Sequence, residues 1–71
     1  AMPLVIAPLN QELKVIKILA DDKVKKHLES LGITINSIIT VLNQSSGSVI
    51  CKVKEGRLAL DKNVAVKIVV A

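Results

Sequence analysis

Apolar and polar positions change rhythm several times along the chain, and each change marks an element. Residues 3–9 open with an almost unbroken apolar run, Pro3-Leu4-Val5-Ile6-Ala7-Pro8-Leu9. Its two prolines limit ladder hydrogen bonding, so the run is at most an extended edge segment lying across an open end of the core. Asn10-Gln11-Glu12 reads as a polar turn. Residues 13–19, Leu13-Lys14-Val15-Ile16-Lys17-Ile18-Leu19, form the first full strand. Lys14 and Lys17 stand at opposite parities, so strict alternation fails between them and a bulge or twist is expected. Val24, Leu28 and Leu31 then recur at four- and three-residue spacing, one apolar stripe on a short helix over residues 23–31. Asp21 or Asp22 supplies its N-cap, and Gly32 follows where a left-handed C-cap favours glycine. Lys25, Lys26, Glu29 and Ser30 make its solvated face.

Beyond Gly32 the period returns to two. Residues 34–37 form a tight turn in which Asn36 accepts positive φ at low cost. Strands at residues 38–42 and 49–53 pair as a hairpin across the polar loop 43–48. Lys54-Glu55-Gly56 turns the chain into a strand at residues 57–60. Asp61-Lys62-Asn63 opens one short turn, of 3₁₀ type, containing Val64 and Ala65, and residues 66–70 make the last strand. All connections are short, so most strand pairs are antiparallel. About five strands, with one short α-helix after the first, predict a mainly β fold, a small partly open barrel. No repeat or linker divides residues 1–71, which are expected to form a single domain.

The alternation also nominates a surface. With Ile39 and Val41 turned inward, Ile38, Thr40 and Leu42 face outward. On the returning strand Val49, Cys51 and Val53 face inward, and Ile50 and Lys52 outward. Ile38, Leu42 and Ile50 then make a neighbouring apolar group on one sheet face, with Lys52 beside it, and these four are the candidate partner-binding residues. The competing arrangement has residues 4–9 or the helix covering that face.

Composition narrows the function more than the fold. The chain has no aromatic residue, so the core must be Val, Ile and Leu, which favours pleated sheet. The same lack removes the stacking platforms of single-strand nucleic-acid modules, and no nucleic-acid partner is expected. The net charge is +4, but the lysines are scattered and Arg57 is the only arginine. That pattern describes a solvated basic surface, or attraction to an acidic partner or anionic membrane. Cys51 is the single cysteine, which fits a reducing cytosol and a small buried hydrophobe. His27 has no cysteine or second histidine near it in sequence, so it reads as structural or surface. Asp21-Asp22 is the only adjacent acidic pair, and helix capping accounts for it. No phosphate loop, zinc spacing or nucleophile–base constellation is present, so no enzyme, cofactor or metal site is expected. No leader pattern opens the chain, and its apolar stretches are too short to span a bilayer, so a cytoplasmic protein is expected.

The order of motifs resembles the FeoA family, small cytosolic accessory proteins of bacterial ferrous iron transport. The features are Pro3-Leu4, Val15-Ile16-Lys17-Ile18, Leu28-Glu29-Ser30-Leu31-Gly32-Ile33, Ile39-Thr40-Val41, Arg57-Leu58-Ala59-Leu60, then Ala65 and Ile68-Val69-Val70. The resemblance implies an SH3-like barrel and a non-catalytic role beside the FeoB membrane transporter, whose cytosolic G-domain would be the partner. The runner-up is a metal-binding or metal-sensing regulatory barrel, like the SH3-like domain at the C-terminus of iron-dependent repressors. Relative to the family, Asn10, Leu13 and Asn36 stand where glycine is usual, and Ile35 where proline is common. Asparagine preserves a left-handed turn, whereas Leu13 implies a different local path into the first strand.

Overall fold

Aliphatic side chains on alternating positions curl this chain into a partly open antiparallel barrel. The computed structural model describes residues 1–54 and 56–71. In chain order the elements are β1 (Met2–Pro3), a 3₁₀ turn (Leu4–Ile6), β2 (Glu12–Ile18), α1 (Asp22–Ser30), β3 (Ile38–Gln44), β4 (Ser48–Val53), β5 (Gly56–Asp61), α2 (Lys62–Ala65) and β6 (Ile68–Val70). The strands lie in the order β1-β6-β2-β3-β4-β5 and their ladders are antiparallel. The core is wholly aliphatic apart from Cys51. Leu4, Val15, Leu28, Ile33, Ile39, Val41, Cys51, Ala65, Ile68 and Val70 are fully buried within it.

The expected mainly β barrel is therefore present, with one additional strand. Met2 and Pro3 pair with Val70 and Val69 at the sheet edge, where a proline costs no interior hydrogen bond. Leu4 and Ala7 drop into the core, and within the expected extended segment residues 4–6 form a 3₁₀ turn between extended Pro3 at the sheet edge and extended Ala7. The break in β2 falls where the lysine parities place it. Register against β6 shifts between Val15 and Lys17, leaving Ile16 exposed and returning Ile18 to the core. Leu13, where glycine is usual in the family, pairs regularly with Ile39 and is buried.

Helix α1 is defined at both ends by side-chain and backbone chemistry. The Val24 N–H donates to Asp21 Oδ1 at 3.0 Å, identifying Asp21 as the N-cap. At the other end Gly32 takes φ 92°, so its N–H donates to Glu29 O at 3.0 Å and the Ile33 N–H to Leu28 O at 2.9 Å. These are the paired bonds of a Schellman cap, with Leu28 and Ile33 both buried as its apolar contact. The chain then turns at residues 34–37 with Asn36 at φ 74°. The Asn36 N–H donates to Val15 O at 2.7 Å and the Val15 N–H to Ser37 O at 2.9 Å, which fastens the turn to β2 beside its bulge. Asn10 likewise takes φ 61°, and its N–H donates to Val41 O at 2.7 Å. Both asparagines hold the left-handed geometry for which glycine is usual.

Several boundaries differ from the sequence reading: β2 and α1 each begin and end one residue earlier than expected, and β5 gains a residue at each end. β3 continues to Gln44 and β4 begins at Ser48, because backbone pairing extends through polar residues that composition assigned to the loop. The turn after β5 is α-helical, with the Val66 N–H donating to Lys62 O at 3.0 Å and Asp61 capping it through Asn63 N–H at 2.9 Å. That helical turn consumes Val66 and Lys67, so the last strand covers only Ile68–Val70. The expected turn at Lys54-Glu55-Gly56 includes Glu55 and lies outside the described residues.

Candidate docking cleft

The turn at residues 34–37 stands as a ridge between two surface depressions. It is stiffened from within: Thr34 N–H donates to Ser37 Oγ at 3.1 Å, and Ser37 Oγ–H donates to Thr34 O at 2.7 Å. On one side lies an open cleft of about 480 Å³. Gly32, Thr34 and Ser37 form one wall, and Glu12, Ile38, Thr40, Lys52, Val53 and Lys54 supply its floor and far wall. The floor follows from the cross-strand ladder. Glu12 is opposite Thr40, and Thr40 is opposite Lys52 on β4. Ile38 projects from the same face and is 47% exposed, although its neighbour Ile39 is completely buried. On the other side of the ridge a smaller hollow of about 280 Å³ is lined by Ile16, Lys17, Ile18, Lys25, Glu29, Thr34 and Ile35.

The four residues nominated from alternation share one sheet face but divide into two groups. Ile38 and Lys52 line the larger cleft. Leu42 and Ile50 sit further along the strands, both half-buried. Register shifts between Val41 and Asn43, so Leu42 and Asn43 together oppose Ile50. The Thr40–Lys52 pair lies between this group and Ile38, so the apolar positions are interrupted by a polar rung. Residues 7–10 border β3 from the other side, through Gln44 Nε2 donating to Ala7 O at 3.3 Å and a bridge between Leu9 and Val41.

Alternation did not disclose Glu12, Gly32, Thr34, Ser37, Val53 or Lys54 as cleft residues. The cleft is made by a turn folding beside a sheet, and only the Thr34–Ser37 spacing, suited to a side-chain-closed turn, carried a local signal. Its chemistry is that of a binding surface. An exposed isoleucine is framed by Lys52 and Lys54, with Arg57 directly opposite Lys52 on β5 and Glu12 the one acid among the described lining residues.

Elsewhere the titratable groups are dispersed. Burial pushes the Cys51 thiol up from its ordinary 9.0 to about 11, so it stays protonated and unreactive. His27 is exposed on α1, where its carbonyl accepts from Ser30 Oγ. Among the described residues no three of His, Cys, Asp or Glu converge as metal ligands. No helix among them is long and apolar enough to cross a membrane.

The FeoA domain family profile matches residues 2–71. A search of curated proteins finds no significant match. Among solved structures, an iron uptake regulatory protein, FeoA, superposes with a TM-score of 0.87 at 30% identity, covering 99% of this chain and 93% of its own. Stenotrophomonas maltophilia FeoA, determined in complex with zinc, gives 0.82 at 23% identity, covering 100% and 91%. A manganese-dependent transcriptional repressor in complex with manganese gives 0.88 at 24% identity, covering 100% of this chain but 36% of the repressor. The last two likenesses are of fold.

Proposed function

This chain belongs to the FeoA family, a non-catalytic, SH3-like family associated with ferrous iron uptake, and from that premise we propose that it is a cytoplasmic binding module acting on the cytosolic domain of the FeoB iron transporter. The observation that carries the proposal is the exposed Ile38 set in a cleft beside Lys52 and Lys54. A buried apolar anchor inside a charged rim is the common anatomy of a protein interface. The partner suited to this cleft presents an apolar side chain flanked by acidic residues. Lys52 and Lys54 steer its approach, and Ile38 supplies the desolvated contact. Leu42 and Ile50 extend the same face, on the far side of the Thr40–Lys52 rung.

Calorimetric titration of the folded protein with the FeoB cytosolic domain tests this reading. Ile38→Ser removes the anchor and is expected to weaken binding about tenfold or more, on the scale of a hot-spot truncation of ~1.4–2 kcal/mol. Lys52→Glu is expected to slow association and reduce its dependence on salt. Wild-type affinity in both variants, with their folds intact, excludes the cleft. Absence of binding by the wild-type protein refutes the partner.

A further inference from the structure

The strand β5 ends the sheet, and among the described residues no strand lies beside its outer edge. It is six residues long, and its pairing with β4 runs without a register shift from Ser48↔Asp61 to Val53↔Gly56. The direction of its backbone groups can be read from the next residue. Lys62 N–H donates to Gly47 O at 3.1 Å, on the β4 side. By alternation Leu58 and Leu60 bond to β4, and the N–H and C=O groups of Arg57 and Ala59 point away from the sheet. An unpaired, regular edge of this length is a template for another strand, and natural sheets usually blunt such edges with a bulge, a proline or a cover. β5 has neither bulge nor proline.

We propose that β5 pairs antiparallel with β5 of a second copy of this chain, about a two-fold axis at Ala59, joining two sheets into one. The sequence of the strand, Gly56-Arg57-Leu58-Ala59-Leu60-Asp61, is self-complementary about that residue. With Ala59 opposite its symmetry mate, Arg57 of each copy falls opposite Asp61 of the other. On the opposite face half-buried Leu58 falls opposite buried Leu60. Both outward charges are then matched, both apolar positions meet apolar positions, and small side chains meet at the axis.

Other registers lose this match. An axis at Leu58 puts Arg57 opposite Ala59, and an axis at Leu60 puts Asp61 opposite Ala59. An axis between two residues sets the outward charges against the inward leucines. The monomer also supplies a reason for Arg57 to accept an acidic neighbour. Its partner within the sheet is Lys52, a like charge directly across the strand pair. In the paired state Arg57 stands between that lysine and the second copy's carboxylate. Asp61 Oδ1 caps α2, and its other carboxylate oxygen remains for the arginine. Ile38 lies on β3, two strands from this edge, whereas Lys52 of the docking cleft lies on β4 directly across from Arg57, so pairing reaches the lysine side of the cleft but not Ile38.

Sedimentation velocity from micromolar to millimolar protein, with amide exchange at Ala59, tests the proposal. The expected result is a monomer–dimer equilibrium in which Ala59 N–H exchange slows as concentration rises. Arg57→Asp places acid opposite acid twice and is expected to raise the dimer dissociation constant about tenfold, the equivalent of ~1.4 kcal/mol over two exposed pairs. Asp61→Lys alone weakens the dimer as well. Mixing the two variants restores opposite charges at both ends and returns the association as a heterodimer. Ala59→Pro removes an outward N–H that β4 does not use, so it abolishes the dimer while the far-ultraviolet spectrum is retained. A protein that stays monomeric throughout, or a dimer indifferent to Arg57→Asp, overturns the proposal.

Discussion

Gly32→Ala places a Cβ at a backbone position with φ 92°, where an L-residue meets its own carbonyl. Holding alanine in the left-handed region costs roughly 1–2 kcal/mol. The alternative is for the end of α1 to unwind. That would forfeit the hydrogen bonds from Gly32 and Ile33 to the carbonyls of Glu29 and Leu28, worth about 1 kcal/mol each. It would also loosen Leu28 and Ile33, both fully buried, so the strained cap is the cheaper outcome. The expected loss is about 1.5 kcal/mol with the fold unchanged. A chain of 71 residues has roughly 4–10 kcal/mol to lose, so the effect is a large fraction of the total. Urea unfolding followed by far-ultraviolet circular dichroism measures it, since the chain has no aromatic fluorophore. The slope should be unchanged and Tm should fall by about 6–12 °C. Gly47→Ala is the control. A Cβ there meets no atom within 4 Å, and Gly47 is not among the positive-φ glycines. Its effect is expected to be neutral or stabilising by up to about 1 kcal/mol. If Gly32→Ala costs no more than Gly47→Ala, the account of the helix end is wrong.

Asp21→Ala removes the acceptor for Val24 N–H and is expected to cost about 1 kcal/mol in the same urea assay, whereas Asp22→Ala costs a few tenths at most because Asp22 lies inside the helix. Cys51 should react with a thiol reagent only through unfolding, so its labelling rate at mildly alkaline pH tracks urea concentration; rapid labelling of the native protein contradicts the burial. Its raised pKa also sets a sign: the folded state retains the thiol proton that the unfolded state loses, so stability falls as pH rises from about 9 toward about 11. Cys51→Val should remove that component of the alkaline decline, measured as unfolding free energy against pH.

What the sequence disclosed, and what it did not, follows from how local each cause is. The Gly32 stop and the Asn36 turn were legible because single residues meet a demand on φ that few others satisfy. The β2 bulge was legible because Lys14 and Lys17 cannot both face solvent on an unbroken strand. The second bulge, at Leu42, left no such mark: Thr40-Val41-Leu42-Asn43 alternates acceptably with or without it. β1 was hidden because two residues carry no period, and only the neighbouring β6 makes Met2 and Pro3 a strand. The SH3-like barrel was recognised from the order of short motifs, which the FeoA profile and the structural superpositions bear out. The cleft was only half legible. Alternation placed Ile38 and Lys52 on its outer face but also grouped them with Leu42 and Ile50, from which a polar rung separates Ile38. The remaining lining residues come from a turn brought beside the sheet by backbone hydrogen bonds between residues 15 and 36–37. No periodicity encodes that contact.

Amide chemical-shift mapping with the unlabelled cytosolic domain of FeoB tests the central claim most directly. On titration into the isotopically labelled protein, the proposed docking predicts saturable shifts centred on Thr34, Ile38, Thr40, Lys52 and Lys54, weakening toward Leu42 and Ile50. The Leu19 and Val66 amides, at the far end of β2 and after α2, should remain still. Shifts confined to that far end, or no shifts with both proteins folded, would contradict it.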